Sequence, residues 1–124
     1  MLSKNKNSGT PPAARQWLLA QPFAHRGLHD LGIGVPENSL LSFEAAIEAK
    51  VGIELDIRVA DDGVAMVFHD PVLDYLTHGH GPIEQLPSFE IEKYNVLKTQ
   101  QRIPTLRAAL DLIRGRVPVL IEIK

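Results

Sequence analysis

Two kinds of hydrophobic spacing alternate along the chain. Between Val51 and Val59 apolar residues occupy every second position, the signature of a strand with one buried face. Pro22 to Arg26, Val64 to Phe68 and Val117 to Ile123 read as three further strands. Leu40, Phe43 and Ile47 recur at helical spacing behind Asn38 or Ser39 as N-cap, and that helix is expected to reach about Lys50. Thr105 caps a second helix whose stripe is Leu106, Ala109, Leu110 and Ile113, with Gly115 as its stop. Ser88 opens a shorter one, expected through Tyr94, and Leu76 to Leu86, with Gly79, Gly81 and Pro82, reads as a surface loop. Strands alternating with helices predict an α/β protein on a mainly parallel sheet. Asp61-Asp62-Gly63 leaves no room for a crossover helix between Val59 and Val64. A hairpin is the simple reading there, and the pairing stays open at the level of sequence.

Strand alternation also sorts the charges. In the Val51–Val59 strand, Ile53, Leu55 and Ile57 share one face, and Glu54, Asp56 and Arg58 share the other. In the last strand Val117, Val119, Ile121 and Ile123 oppose Leu120, Glu122 and Lys124. Each strand thus has one apolar face to pack on helices and one that turns acidic toward its C-terminal end, where parallel α/β proteins bind ligands. Carboxylates meeting there would repel one another and lose hydration, and a divalent cation relieves both costs. The oxygen-only set Glu54, Asp56 and Glu122 suits Mg²⁺ or Ca²⁺ better than zinc. In an open antiparallel sheet the same acidic face would simply meet solvent.

His25 and His69 stand at comparable strand ends, and a histidine pair can accept and donate protons near neutrality. Arg26 offers a forked donor and Lys124 a point charge for phosphate oxygens. Taken singly, each has a bland role as a hydrogen-bonded or solvated side chain. Gly27 permits a close backbone approach to a ligand, and Glu37 orders the first loop, assists at the site or is a carboxylate favoured at a helix start. His78-Gly79-His80-Gly81 is a weak metal motif on a surface loop.

Composition narrows the classes. The 124 residues are enough for one domain, and 44% hydrophobic content is enough for a core. A net charge of −2 carries no nucleic-acid footprint, and no apolar run approaches the roughly 18–20 residues of a membrane span. The absence of cysteine excludes a thiolate site and fits a reducing compartment, so the expected location is cytoplasmic. Residues 1–16 are polar and small, without the apolar run of a secretory signal, and are expected to form a flexible tail; Trp17, Leu18 and Leu19 look like an apolar plug.

Six motifs follow in order: His25-Arg26-Gly27, Pro36-Glu37-Asn38-Ser39, Glu54-Leu55-Asp56, Asp62-Gly63 leading to His69-Asp70, Ile103-Pro104-Thr105-Leu106, and Glu122-Ile123-Lys124. From about Pro22 to Lys124 this succession resembles the glycerophosphodiester phosphodiesterase family. Ser39 stands where threonine is common, and Arg107-Ala108 where acidic residues are frequent. The resemblance implies a TIM-type (β/α) barrel and metal-dependent hydrolysis of glycerophosphodiesters to glycerol 3-phosphate and an alcohol. By position it makes His25 and His69 the general acid/base pair, Glu54, Asp56 and Glu122 the ligands of one Mg²⁺ or Ca²⁺ ion, and Arg26 and Lys124 the phosphate contacts.

A complete barrel takes roughly 250 residues. The expected domain, residues 17–124, is therefore only about the first half, with open sheet edges. The expectations that follow are an unstable fragment, self-association of two copies, or a separate chain supplying the complementing half-barrel. The alternative to an enzyme is a non-catalytic half-barrel that binds a metal or a partner.

Overall fold

A computed structural model describes residues 22–124; the expected tail and the Trp17–Leu19 plug lie outside the described residues. Four strands form one sheet: β1 (Phe23–His25), β2 (Gly52–Val59), β3 (Ala65–Val67) and β4 (Val119–Ile123). The helices are α1 (Leu40–Glu48), α2 (Ser88–Ile91) and α3 (Leu106–Ile113). β2 is the hub. β1 and β4 pair with it in parallel, and β3 pairs with it antiparallel, which makes the Asp61-Asp62-Gly63 segment a hairpin. The amides and carbonyls of successive strand residues point to opposite edges. Gly52 N–H donates to the Pro22 carbonyl, Gly27 N–H to that of Glu54 and Phe68 N–H to that of Asp56. β3 therefore takes over the edge of β2 where β1 leaves it. On the other edge Ile53 N–H donates to the Pro118 carbonyl and Lys124 N–H to that of Ile57.

Two separate cores form. Ile53, Leu55 and Ile57 pack beneath Phe43 and Ala46 of α1 and Ala109 and Ile113 of α3. The second core joins Ala60, Met66 and Phe68 to Leu73, Ile83, Ile91, Val96 and Ile103, so residues 70–102 form an excursion with an interior of its own. Ser39, not Asn38, caps α1, in a reciprocal capping box with Ser42, and Thr105 caps α3 through Ala108 N–H. Gly27, at φ 81°, is pressed against α1; a Cβ there would collide with the Ser42 side chain. The close approach expected toward a ligand is instead made to a helix, because the side chain of Ser42 fills the space beside Gly27.

Three element readings change. The Leu76–Leu86 stretch is not only surface loop: it holds a tight turn at Ile83–Gln85, and Ile83 is buried in the second core because it packs with Leu73 and Ile91. α2 stops at Ile91 rather than Tyr94, because Lys93 and Tyr94 bond back to Glu90 and Ile91 in tight turns while the Tyr94 carbonyl accepts Ile103 N–H. Leu110 leaves the α3 stripe, 41% exposed, and Leu112 packs on the core instead. The apolar face of β4 is open at its end, with Ile123 76% exposed. No helix among the described residues is long and apolar enough to cross a membrane.

Phe43 is fully buried at the centre of the first core. Phe43→Ala is expected to cost about 3–5 kcal/mol, read as a lowered urea midpoint. Ile123→Ala, at an exposed position, is expected to leave the midpoint nearly unchanged.

Candidate active site

The acidic face of β2 becomes a cluster because β4 pairs in register beside it, Asp56 opposite Glu122. Glu54, Asp56 and Glu122 each bring a carboxylate oxygen within 4.8 Å of the others. Asp56 is fully buried, Glu54 is half-buried and Glu122 is exposed. Glu54 Oε2 and Asp56 Oδ1 are buried without a hydrogen-bond partner. Such orphaned acceptors are costly unless something cationic meets them. An oxygen-only set with two open acceptors fits a hard divalent cation.

The neighbours arrange this cluster. Asn38 holds Asp56 from both sides: its Nδ2 donates to Oδ2 at 3.1 Å, and Asp56 N–H donates to its Oδ1 at 3.4 Å. That clamp occupies one carboxylate oxygen and leaves Oδ1 open. Asn38 sits at φ 52°, a left-handed geometry that asparagine tolerates better than most residues. Arg26 is also left-handed, at φ 59°, and its N–H donates to Glu54 Oε1 at 3.1 Å. Its guanidinium donates to Glu37 at 3.0 Å and lies 3.4 Å from Asp56 without the alignment of a hydrogen bond. Glu37 is therefore a loop-ordering residue that holds Arg26 over the cluster. Burial first, then the Asp56 carboxyl beside it, then the charge of Glu122 push the Glu54 carboxyl from an ordinary 4.5 up to about 7, against the Arg26 N–H bond that lowers it.

Six of the seven residues singled out in the sequence form one chain of contacts. His25 Nε2 is 3.8 Å from Glu54 Oε1, with its ring largely exposed, and Lys124 Nζ donates to Glu122 at 3.1 Å. His69 joins through the backbone: Phe68 N–H is bonded to Asp56, and the His69 ring bonds through Nδ1 to Asp70 at 2.9 Å. A carboxylate on Nδ1 favours the tautomer that leaves Nε2 as the free acceptor. His78 and His80 stand apart; His80 pairs with Asp74 on the surface, and the acidic trio is the only cluster of potential metal ligands among the described residues. Asn38 escapes a reading by sequence period, since its bond to Asp56 spans 18 positions; its place beside Glu37 was the available signal.

Residues 25–124 match the glycerophosphoryl diester phosphodiesterase family. The chain belongs to this family. It is 38% identical over 109 residues to a glycerophosphodiester phosphodiesterase of Caldanaerobacter subterraneus, an alignment covering 82% of this chain and 44% of the relative. It is 33% identical over 112 residues to mouse glycerophosphodiester phosphodiesterase 1, covering 82% and 33%. Among solved structures, the glycerophosphodiester phosphodiesterase of Agrobacterium tumefaciens superposes with a TM-score of 0.74 at 34% identity, covering 83% of this chain and 46% of the other. An Oleispira antarctica phosphodiesterase, in complex with the product sn-glycerol-3-phosphate, gives 0.74 at 30% identity, covering 84% and 44%. The family fold is the TIM-type barrel; the described sheet and helices are roughly its first half, and the chain spans less than half the length of the relatives named.

The raised Glu54 carboxyl sets a pH dependence for the metal-free protein. Between pH 4.5 and about 7 the folded chain keeps a proton that the unfolded chain has released, so this group's contribution to stability falls as pH rises through that window. With chelator present, the urea midpoint is expected to drop less between pH 5 and 7.5 in Glu54→Gln than in the unsubstituted protein. Equal drops would contradict the raised carboxyl.

Proposed function

We propose that the chain carries the catalytic residues of a metal-dependent phosphodiesterase that hydrolyses glycerophosphodiesters to glycerol 3-phosphate and an alcohol. The observation that carries this reading is the convergence of Glu54, Asp56 and Glu122, with acceptors left open, beside His25 and Arg26. Family membership supports the same reaction class. Glu54, Asp56 and Glu122 would hold one Mg²⁺ or Ca²⁺ ion, which would supply a Lewis acid to polarise the phosphodiester and offset its developing charge.

The chain's own side chains do the rest. Arg26 and Lys124 exchange their carboxylate partners, Glu37 and Glu122, for phosphate oxygens and so orient the diester. One histidine takes a proton from the nucleophile, a water or the glycerol hydroxyl beside the phosphate, and the other gives one to the leaving alkoxide; in the second case water then opens the cyclic phosphate to glycerol 3-phosphate. His69 enters with Nδ1 held by Asp70 and Nε2 as the exchanging atom. The proposed small-molecule substrate follows from the Oleispira antarctica relative, whose complex holds sn-glycerol-3-phosphate. A second reading, a non-catalytic metal- or partner-binding module, draws on the open apolar end of β4, where Ile123 is 76% exposed and where a second copy or another chain would pack.

The test incubates the 124-residue chain with glycerophosphocholine and Mg²⁺ or Ca²⁺ and measures glycerol 3-phosphate. Chelator is expected to abolish release, and His25→Ala and His69→Ala are each expected to lower it by about 10²–10⁴-fold. No turnover together with a monodisperse dimer would favour the module. In metal titrations, Asp56→Asn is expected to weaken affinity by at least about tenfold. Asp61→Asn, in the exposed hairpin turn, is expected to match the unsubstituted chain; equal weakening by both would overturn the ligand assignment.

A further inference from the structure

Arg58 lies on the same face of β2 as Glu54 and Asp56, with its side chain mostly buried. Its Nε donates to the main-chain carbonyl of His69 at 2.8 Å. Its Nη1 is 3.9 Å from Glu84, which sits on the tight turn Ile83–Gln85 of the 70–102 excursion. β3 is only three residues long and ends at Val67, so the ladder does not reach His69. Two consecutive anchors replace it, and both belong to β2: Phe68 N–H on the Asp56 carbonyl, and the Arg58 guanidinium on the His69 carbonyl.

We propose that Arg58 is a positioning residue for His69, fixing its backbone against the strand that carries Glu54 and Asp56. This rests on the phosphodiesterase reading for its catalytic consequence, though the geometry stands apart from it. A hydrogen bond from a charged donor to a carbonyl is worth more than a neutral one, and this one is mostly shielded from water. Asp70 controls the imidazole from one end and Arg58 controls the peptide from the other. With both in place, the ring enters the site at a set distance from the carboxylate cluster. The outer contact to Glu84 is long and solvent-exposed, so it contributes little.

Three variants separate these contributions. Arg58→Met removes every donor and keeps a long stem, Arg58→Gln keeps an uncharged N–H at the place of Nε, and Glu84→Gln removes only the outer ion pair. Loss of positioning is expected to lower kcat of Arg58→Met by about 10–100-fold, since a displacement near 1 Å costs this much. KM and metal affinity are expected to stay within about twofold, with Arg58→Gln recovering most of the rate and Glu84→Gln unchanged. A fall in metal affinity alongside kcat would overturn the proposal, because Arg58 would then act on the carboxylates.

The second readout needs no turnover. Nitrogen-resolved NMR of the imidazoles, with His69 assigned by its loss in His69→Ala, reports the tautomer directly. The unsubstituted chain is expected to show one protonated and one bare ring nitrogen at His69, and Arg58→Met to draw the two shifts together. Unchanged His69 ring signals in a folded Arg58→Met protein would overturn the proposal whatever the activity. A chain that hydrolyses nothing, yet shows this ring response, would sink the phosphodiesterase reading and leave the positioning role standing.

Discussion

Three carboxylates crowded within 4.8 Å are the constraint around which the rest is arranged. Left alone they repel, and the burial of Asp56 and Glu54 deepens the cost. The fold meets this with donors rather than distance. Asn38 takes one oxygen of Asp56, the Arg26 amide takes one of Glu54, and Lys124 takes one of Glu122. What remains open, Glu54 Oε2 and Asp56 Oδ1, is the part of the cluster that calls for a cation. Glu54 expresses the unrelieved strain chemically, by retaining its proton to about pH 7.

This arrangement depends on β2 more than on any other element. It carries two of the acids, sets the register that brings Glu122 alongside Asp56, and supplies the carbonyl that holds Phe68. Its odd-numbered residues meanwhile anchor the helix layer through Ile53, Leu55 and Ile57. One strand therefore bears a dry core on one face and charged chemistry on the other. That dual load requires strict alternation, since a slip of one residue would exchange the two.

Alternation is also why so much was legible in the sequence. Glu54, Asp56 and Glu122 could be grouped because the strand period is local and the apolar partners Ile53, Leu55, Ile121 and Ile123 fix its phase. The caps Ser39 and Thr105 were readable for the same reason, as neighbours of periodic stripes. Contacts across the chain left no such trace. Nothing periodic in Asn38 or Arg58 announces a bond to Asp56 or to the His69 carbonyl. The shortened α2 was hidden similarly, because its end is set by Tyr94 meeting Ile103 rather than by a stop residue. Leu110 misled because a helical stripe defines a direction only to within a residue, and the covering strand decides which leucine it uses.

The second core carries an implication for how this family of sites can diversify. Leu73, Ile83, Ile91 and Val96 close on Ala60, Met66 and Phe68 without borrowing a residue from the helix layer. Residues 70–102 are in effect a separately upholstered module, stitched to the sheet near His69. Drift in the outward surface of that module leaves the packing under the acids undisturbed. The outward surface and the packing under the acids can accordingly change on independent clocks within a single polypeptide.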